Sequence, residues 1–378
     1  MHHELPQPID GHLKESLQTL CSLGAPSGHE DLIVRTLFDH FVGRGFSPEV
    51  DRLGQVSVTI LGTDPAANHT LVSAHLDQLG LVVSNVREDG FVKFVRLGGV
   101  PERVLPGTRI TINTRSGNVP GVVGLKSHHL TPTEDKYKAL PTSELYLDVG
   151  AQSVDEVAKL GITIGDPCCY QYHWTDLANG RFSTVSLDDR LGVVALLALV
   201  DRLVDQERAG NLHIAFTTQE EFHVRGTLAL VEKYNPDIVI NVDVSPACDT
   251  PDLSGVSAVS LGGGPVINRL SFHGRGTLGG LIPHPALLEA AEQAALAAST
   301  KYQYEVIIGL INDAAFVPMS TAKGIATIGI SIPVRYTHSP VETGEFSDLE
   351  GTIDLLERLT HATAHLDLSR VVRPPSRG

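Results

Sequence analysis

The chain has 378 residues, of which 42% are hydrophobic and 19% are charged. Single hydrophobic cores rarely grow beyond about 250–300 residues, so this length predicts two domains, and the composition excludes a disordered chain or a coiled coil. A formal net charge of −15 argues against nucleic acid and membranes as partners, and an aromatic content of 5% argues against a cleft that stacks sugars.

The N-terminus and the cysteines bear on the compartment. Residues 1–10 lack the apolar core of a signal peptide, and the longest apolar run, residues 191–200, is much shorter than a membrane-spanning helix of about 20 residues. A chain of this size does not need disulfides to fold, and no C-x-x-C pair occurs. We therefore expect a cytoplasmic protein with reduced thiols. The cysteines are Cys21, Cys168, Cys169 and Cys248.

In chain order, the first predicted elements are two helices and two strands. Residues 12–23 carry leucines at helical spacing, and a segment rich in glycine and proline then ends that helix. Ser27 and Glu30 have the spacing of a capping box, which predicts the start of a second helix. The apolar patterns of residues 56–60 and 70–75 predict two strands.

The pattern of apolar residues, glycine and proline changes between residues 80 and 180. Short apolar runs are interrupted by glycine and proline, as in residues 97–107 and 117–124, and helical periodicity largely disappears. This pattern predicts a small β-rich, barrel-like domain over residues 80–180. It would be inserted into a main domain formed by residues 1–79 and 181–378.

After residue 185, predicted strands alternate with predicted helices. The segments are helix 189–204, strand 212–218, helix 225–234, strand 237–243, helix 285–299, strand 303–308, strand 325–331 and helix 347–365. Ser347 and Glu350 predict a second capping box at the start of the last helix. The alternation predicts an α/β fold with a layered, mixed and mostly parallel sheet that is flanked by helices.

Histidine and acidic residues collect where these predicted strands end or where a helix begins. They are His75, Asp188, Asp189, Glu220, Glu221, Asp243 and His338. Taken alone, each has an ordinary explanation, such as helix capping for Asp188 and Asp189. In an open α/β sheet, however, ligands bind beyond the C-terminal ends of the strands. We therefore expect these side chains to converge although they are far apart in sequence.

The residue types suit a pair of metal ions. Two imidazoles and three carboxylates form a ligand set of nitrogen and oxygen without thiolate, which favours Zn²⁺, Co²⁺ or Mn²⁺. Five ligands are too many for one catalytic zinc but suit two ions that share a carboxylate. Glu220 and Glu221 would diverge in extended backbone, so one can bind metal while the other acts as a base. Asp77 is expected to accept the second ring N–H of His75.

An ordered set of segments resembles the tetrahedral aminopeptidase family, which includes deblocking and glutamyl aminopeptidases. The resemblance extends from about residue 10 to about residue 350, and the order of the segments is more specific than any one of them. The segments are SAHLDQLGLVV (73–83), RVLPG (103–107), GVVGLKSHHL (121–130), LYLDVGA (145–151), SLDDRLG (186–192), TTQEEFHVRGT (217–227), VDVSPACDTP (242–251), NDAAFVP (312–318) and IPVRYTHSPVE (332–342).

The resemblance implies two divalent metal ions, with zinc favoured and cobalt or manganese as alternatives. Carried onto this sequence, the family pattern makes Asp188 the carboxylate that bridges them. His75 and Asp243 would complete one metal site, and Glu221 and His338 would complete the other.

The resemblance also implies how the reaction would proceed. Glu220 would be the general base that takes a proton from the attacking water, and Asp77 would be the partner of His75. The bond between Asp188 and Asp189 is expected to be a cis peptide. The substrates would be peptides, residues 1–79 and 181–378 would form the catalytic domain, and the inserted domain would serve oligomerisation or substrate access in a dodecamer.

Three positions depart from the family pattern, and they put the substrate preference in doubt rather than catalysis. They are Gln78, Phe222 and His223. Two other functions stay open from the sequence: a deacylase or glycan hydrolase on the same scaffold, and a non-catalytic assembly that metal ions stabilise. The spare carboxylate of Glu220 favours catalysis, since a structural metal site would not need it.

Overall fold

The computed structural model describes residues 4–274 and 279–370. Its strands are β1 (Glu49–Val50), β2 (Val56–Ile60), β3 (Thr70–His75), β4 (Gly80–Val86), β5 (Val92–Leu97), β6 (Arg109–Thr114), β7 (Gly117–Val123), β8 (Leu147–Asp148), β9 (Pro167–Tyr170), β10 (Trp174–Asp176), β11 (Arg181–Thr184), β12 (Leu212–Thr217), β13 (Ile238–Pro246), β14 (Val266–Phe272), β15 (Gly280–Leu281), β16 (Gln303–Ile308), β17 (Ala326–Val334) and β18 (Glu342–Glu345). Its α-helices are α1 (Leu13–Ser22), α2 (Asp31–Gly43), α3 (Val154–Lys159), α4 (Leu187–Leu203), α5 (Glu220–His223), α6 (Gly226–Tyr234), α7 (Pro285–Ala297) and α8 (Phe346–Ala362).

Over the described residues, the main sheet has nine strands in the order β1-β2-β12-β3-β13-β17-β14-β15, with β16 paired to β14. Four neighbouring strands at its centre, β12, β3, β13 and β17, are parallel. The outer pairs β1–β2, β2–β12, β17–β14 and β14–β15 are antiparallel. Because parallel strands end at the same edge of a sheet, the C-terminal ends of the four central strands lie side by side.

Helices cover both faces of the main sheet. On one face α1, α2, α4, α7 and α8 share a hydrophobic core with strand residues such as Val72 and Ile214. On the other face α6 packs against Leu71 and Ala215. Successive strand residues point to opposite faces, so strands that are covered on both sides carry continuous apolar runs. The layered, mostly parallel α/β sheet that the sequence predicts is confirmed.

Helix α4 lies in the centre of the core. Every residue from Leu187 to Val200 is buried, which explains why this helix is apolar on all sides. Asp188 and Asp189 have non-helical backbone angles, so regular helix begins at Arg190. Within the described residues, none of the helices combines the length and the apolar character that crossing a lipid bilayer requires.

The strands between Gly80 and Tyr170 form a separate closed barrel in the order β4-β5-β8-β7-β6-β9. Its interior is a hydrophobic core of its own, to which Leu81, Phe94 and Ile110 contribute. The predicted barrel-like insertion is therefore confirmed as an element of the fold. All four cysteines lie in the described part of the chain, and they are buried free thiols.

A small three-stranded sheet joins the chain after the barrel to the C-terminal part of the main body. Strand β11 pairs with β10 on one side and with β18 on the other, both antiparallel. The Trp174 ring stacks on Phe182 with 4.9 Å between ring centroids. Residues 174–176, which the sequence assigns to the insertion, thus belong to a sheet that includes β18.

Both predicted capping boxes are wrong. Helix α2 begins at Asp31 without a side-chain cap, and the Ser27 hydroxyl instead donates to Asp77 Oδ2 at 2.5 Å. Helix α8 begins at Phe346, one residue earlier than predicted, and the Ser347 hydroxyl donates to Glu345 Oε1 at 2.9 Å. In each case the serine has the expected spacing, but its hydroxyl bonds a carboxylate rather than the first turn of the helix.

Candidate metal centre

Two groups of ligand-type side chains lie at the C-terminal edge of the central parallel strands. One group consists of His75, Asp188 and Asp243, and the other of Asp188, Glu221 and His338. Within each group the candidate ligand atoms lie within 4.8 Å of one another. The five residues predicted as ligands from the sequence are therefore brought together, and Asp188 belongs to both groups.

The first group combines neighbouring strands with the start of α4. His75 ends β3 and Asp243 lies on the adjacent β13, and both are buried. His75 Nε2 lies 3.0 Å from Asp188 Oδ1 and 3.9 Å from Asp243 Oδ1. His75 Nδ1 lies 3.1 Å from the main-chain oxygen of Asp77, so Nδ1 can carry the proton while Nε2 faces the cluster.

The second group depends on the loop between β17 and β18. His338 lies in this loop with a positive φ of 66°. Its Nε2 lies 3.4 Å from Asp188 Oδ2 and 3.7 Å from Glu221 Oε1. Its Nδ1 lies 3.2 Å from the main-chain oxygen of Gly99. The two imidazoles therefore have the same arrangement, with one nitrogen facing the carboxylates and the other facing a carbonyl oxygen.

Asp77 is fully buried, and its carboxylate binds the main chain of the glutamate pair. Oδ1 accepts the N–H of Glu220 at 2.9 Å, and Oδ2 accepts the N–H of Glu221 at 3.0 Å. Its Oδ1 lies 3.6 Å from His75 Nδ1, farther than the main-chain oxygen of Asp77 itself. The expected bond from His75 to the Asp77 carboxylate is thus replaced by a shorter one to the Asp77 main chain.

Glu220 and Glu221 lie on one helical turn, α5, and not on the extended backbone that the sequence suggested. The turn begins after Gln219, whose φ is 61°. Both glutamates line the same cleft, yet only Glu221 belongs to one of the two ligand groups. Glu220 therefore remains a buried carboxylate beside the ligands.

Two further carboxylates lie at the site: Asp189, which the sequence groups with the cluster, and Glu342, which has no distinctive signal in the sequence. Glu342, fully shielded at the start of β18, accepts the N–H of His338 at 2.7 Å and that of Asp188 at 3.3 Å. Asp189 accepts the N–H of Gly192 at 2.9 Å and that of His75 at 3.3 Å. The peptide bond between Asp188 and Asp189 is cis, as the family resemblance implied.

Arg190 is fully buried behind the site and connects three parts of the chain. It donates to the main-chain oxygens of Leu20 at 3.2 Å, of Leu23 at 3.3 Å and of Leu76. It also donates to Gln78 Oε1 at 3.1 Å. Gln78, one of the departures from the family pattern, thus bonds this arginine and is not a member of either ligand group.

The electrostatics of the cluster show a shortage of positive charge. Burial raises the pKa of Glu221 to about 8 and that of Asp243 to about 7, with Asp188 adding to both. Burial also raises the pKa of Glu220 well above its ordinary value. Burial alone would lower the pKa of His338, but Glu221 and Asp188 raise it to about 10.

The residues of the cluster fit divalent cations. Glu221 Oε1 is buried and has no hydrogen-bond partner among the described residues. Leaving such an atom unpaired is costly, and several buried carboxylates in contact repel one another. Two divalent ions held by nitrogen and oxygen ligands would give the buried Glu221 oxygen a partner and would reduce the repulsion between the carboxylates.

The cluster opens into a cleft of about 430 Å³. Beyond the candidate ligands and Glu220, the described lining residues are Gly99, Phe222, His223, Val224, Val244, Pro246, His273, Gly309, Leu310, Ile311, Phe316 and Thr337. Phe222 and His223, the other departures from the family pattern, therefore face the cleft. Among these described residues there is no lysine, arginine, aspartate or glutamate.

An α/β sheet with two ligand groups that share a carboxylate beside a spare glutamate has the form of a metal-dependent hydrolase. A family model described as M42 glutamyl aminopeptidase matches residues 54–355. The chain belongs to this family of metallopeptidases, and it is an aminopeptidase.

Relatives and solved structures cover nearly the whole chain. SgcX of Escherichia coli (strain K12), whose name gives aminopeptidase as an inferred activity, is 34% identical over 352 residues, which are 93% of this chain and 94% of that protein. The lysyl aminopeptidase of Pyrococcus furiosus is 30% identical over 345 residues, which are 91% of this chain and 95% of that protein. The aminopeptidase APDkam598 of Desulfurococcus kamchatkensis has a TM-score of 0.87 at 32% identity, with 94% and 96% of the two chains covered.

Two other structures bear on assembly and on the alternative functions. The TET1 peptidase of Pyrococcus horikoshii, described as able to assemble into a tetrahedron or a large octahedral shell, has a TM-score of 0.80 at 29% identity and covers 91% and 97% of the two chains. A Thermotoga maritima structure described as an endoglucanase has a TM-score of 0.72 at 27% identity and covers 92% and 96%. Aminopeptidase names predominate among the similar proteins.

Proposed function

We propose that the chain removes N-terminal residues from peptides with the help of two divalent metal ions. The observation that carries this proposal is that two ligand groups share Asp188, while Glu220 lies beside them without belonging to either. Zinc is the ion we favour, because imidazole and carboxylate ligands without thiolate suit it, with cobalt and manganese as alternatives.

The residues would divide into ligands and supports. His75 and Asp243 would hold one ion and Glu221 and His338 the other, with Asp188 between them. Their ring and main-chain hydrogen bonds support this assignment, since they turn the free imidazole nitrogens toward the carboxylates.

Glu220 would act as the general acid and base of the reaction. When bound, two divalent ions lower the pKa of water and polarise a carbonyl group. The Glu220 carboxylate takes a proton from the attacking water and passes it to the nitrogen of the leaving amine. Asp77 is a positioning residue in this scheme, because it fixes the main chain of Glu220 and Glu221.

The cleft supports a preference for apolar N-terminal side chains. Its lining includes Leu310, Ile311 and Phe316, and the described lining outside the cluster offers no fixed charge to pair with a glutamyl or a lysyl side chain. A charged side chain placed there would lose hydration without gaining a partner. We therefore propose leucyl-type substrates over glutamyl and lysyl ones.

We further propose that residues 1–79 and 181–378 form the catalytic domain and that residues 80–180 serve oligomerisation or substrate access. A cytoplasmic dodecamer is the assembly we propose. A solved TET1 structure that is described as a dodecamer, with a TM-score of 0.80 at 29% identity, supports the oligomeric state. Light scattering coupled to size-exclusion chromatography tests this, because twelve chains of 40.5 kDa give a mass far above that of a monomer or a dimer.

The function is tested with metal-free protein reconstituted separately with zinc, cobalt or manganese. Each form is assayed on leucyl-, glutamyl- and lysyl-p-nitroanilide, with N-acetyl-leucyl-p-nitroanilide as the control for a free amine. We expect release from the leucyl substrate to be fastest and the acetylated substrate to be inert. Release from the glutamyl or lysyl substrate at the higher rate would contradict the preference but not the activity.

The same preparations separate the alternatives. Sugar release from carboxymethylcellulose, with no release from any aminoacyl substrate, would support a glycan hydrolase. Release of acetate from the acetylated substrate would support a deacylase. Two bound ions without turnover of any substrate would support a non-catalytic assembly.

A further inference from the structure

Two consecutive glycines of the barrel lie against the second ligand group. Gly98 and Gly99 follow strand β5, in the segment whose glycines and prolines mark the sequence between residues 97 and 107. Gly98 has a φ of 81°, and a Cβ there would lie 3.1 Å from the main-chain oxygen of Glu221. A Cβ on Gly99 would lie 3.0 Å from His338 Nδ1 and 3.2 Å from Cε1. The absence of side chains therefore permits this close approach.

The barrel also contributes hydrogen bonds to the same histidine. The main-chain oxygen of Gly99 accepts the N–H at His338 Nδ1 at 3.2 Å, and this bond fixes the ring so that Nε2 faces Asp188 and Glu221. From β9, the Tyr170 hydroxyl donates to the main-chain oxygen of His338 at 3.3 Å. The barrel thus holds both the ring and the backbone of His338.

Among the described residues, no hydrogen bond joins His75 or Asp243 of the first ligand group to the barrel. The ring of His75 is fixed by the main-chain oxygen of Asp77, its own near neighbour after β3, and Asp243 lies on the adjacent central strand. The two groups therefore differ in the source of their hydrogen bonds. The ring of His75 is held by the main body, whereas the ring of His338 is held by the barrel.

We propose that Gly99 and Tyr170 of the barrel position His338, so that occupancy of the metal position formed by Asp188, Glu221 and His338 depends on the barrel. Occupancy of the position formed by His75, Asp188 and Asp243 does not depend on it. This inference rests on the proposed function, since it takes both groups to bind metal. Gly99 and Tyr170 are positioning residues, because they act through His338.

The test compares three variants of the full chain. Gly99→Ala places a methyl group against the His338 ring, and its backbone conformation does not require glycine. Tyr170→Phe removes one hydrogen bond to the same residue with little change of shape. Gly121→Ala is the matched control, because its added Cβ would also be crowded, at 3.3 Å from Val149 Cγ1, but at a barrel position away from the ligand groups.

Metal-free preparations are titrated with Co²⁺ alone and followed by calorimetry and visible absorption, and the bound ions are counted by mass spectrometry. We expect two ions in the wild type and in Gly121→Ala. In Gly99→Ala the affinity of one ion should fall by about 10–100-fold while the other is unchanged, and Tyr170→Phe should weaken the same ion by a smaller factor.

Wild-type affinities for both ions in Gly99→Ala, or an equal loss of both, would overturn the inference and leave the proposed function standing. Should Gly99→Ala fail to fold, Tyr170→Phe decides by the same criterion. A wild-type protein that binds fewer than two ions would instead overturn the proposed function, and the inference with it.

Discussion

At the scale of single residues, Glu220 is distinguished by its environment and not by its contacts with ligands. It is buried next to Glu221, and burial raises its pKa well above the ordinary value, with the carboxylates of Asp243 and Asp313 adding to the effect. A carboxylate in such a place can exchange protons with water at the cluster. The neighbouring carboxylates of Glu221 and Asp243 carry the negative charge that metal ions would compensate.

We expect Glu220→Gln to retain both metal ions but to lower kcat by about 10²–10⁴-fold, because the amide cannot take up the proton. Steady-state kinetics on leucyl-p-nitroanilide and a metal count on the same preparation check this. Turnover near that of the wild type would remove Glu220 from the reaction.

Asp77→Asn tests the support of the glutamate pair. An asparagine has one acceptor oxygen in place of two, so it cannot accept the N–H groups of both Glu220 and Glu221 as the carboxylate does. We expect metal affinity to fall by about 10–100-fold, measured by competition with a chelator.

The control for this variant is Ser27→Ala. It removes the hydroxyl bond to the Asp77 carboxylate but leaves both main-chain bonds in place. Its effect on metal affinity should be smaller. If the two variants lowered metal affinity equally, the hydrogen bonds from the Glu220 and Glu221 N–H groups to Asp77 would not account for the loss.

At the scale of elements, Arg190 ties α4 to the end of α1 and to the segment after β3. We expect Arg190→Met to lower the free energy of unfolding by about 3–5 kcal/mol, because three buried carbonyl oxygens lose the hydrogen bonds that Arg190 donates, although the oxygen of Leu20 keeps the N–H of Leu23. Urea unfolding of metal-free protein measures this.

Arg358→Met serves as the comparison, since Arg358 is an exposed arginine on another helix of the core, α8. Its unfolding free energy should stay within about 0.5 kcal/mol of the wild type. Equal losses in the two variants would show that the hydrogen bonds of Arg190 add nothing beyond an ordinary surface side chain.

The elements also show what the sequence can and cannot predict. The strand 303–308 was predicted with the bounds that β16 has, because alternation and flanking polar residues mark a strand directly. The role of Ser27 was not predictable from spacing, because its hydroxyl bonds Asp77, 50 positions away. Local sequence patterns predict local structure. They do not predict the hydrogen-bond partner of a hydroxyl when the fold brings that partner from a distant part of the sequence.

The same distinction applies to the site. The convergence of His75, Asp243 and the glutamate pair follows from strand ends in a parallel sheet, which the sequence pattern reveals. Glu342 and the contact of Gly99 with His338 could not be predicted, because they arise where the barrel and a short antiparallel sheet meet the main body. The spacing of residues within each of these segments does not indicate which other segment it will contact. The metal-ligand roles themselves stay predictions.

At the scale of the whole molecule, buried histidines make the stability of the fold depend on pH. His40 lies on α2 in a buried position, and burial, followed by the charge of Arg44, lowers its pKa from 6.5 to about 4. The unfolded chain therefore binds a proton at this position more readily than the folded chain does. Stability from this group is present above about pH 6.5 and is lost as the pH falls toward about 4.

We expect His40→Leu to reduce the loss of unfolding free energy between pH 7 and pH 5 by about 2 kcal/mol. Urea unfolding of metal-free protein at the two pH values measures it. His29→Leu, which changes an exposed histidine just before α2, is the matched control. A variant at His40 with an unchanged pH dependence would show that this side chain does not titrate between the two states.

The order of the ligand residues along the chain has a consequence for biosynthesis. His75, Asp188 and Asp243 all lie within the first 246 residues, on β3, α4 and β13, and β3 pairs directly with β13. A nascent polypeptide that has emerged through β13 already carries one complete ligand group. His338 leaves the ribosome almost a hundred residues later, so the second group cannot form until this later part of the chain has been made.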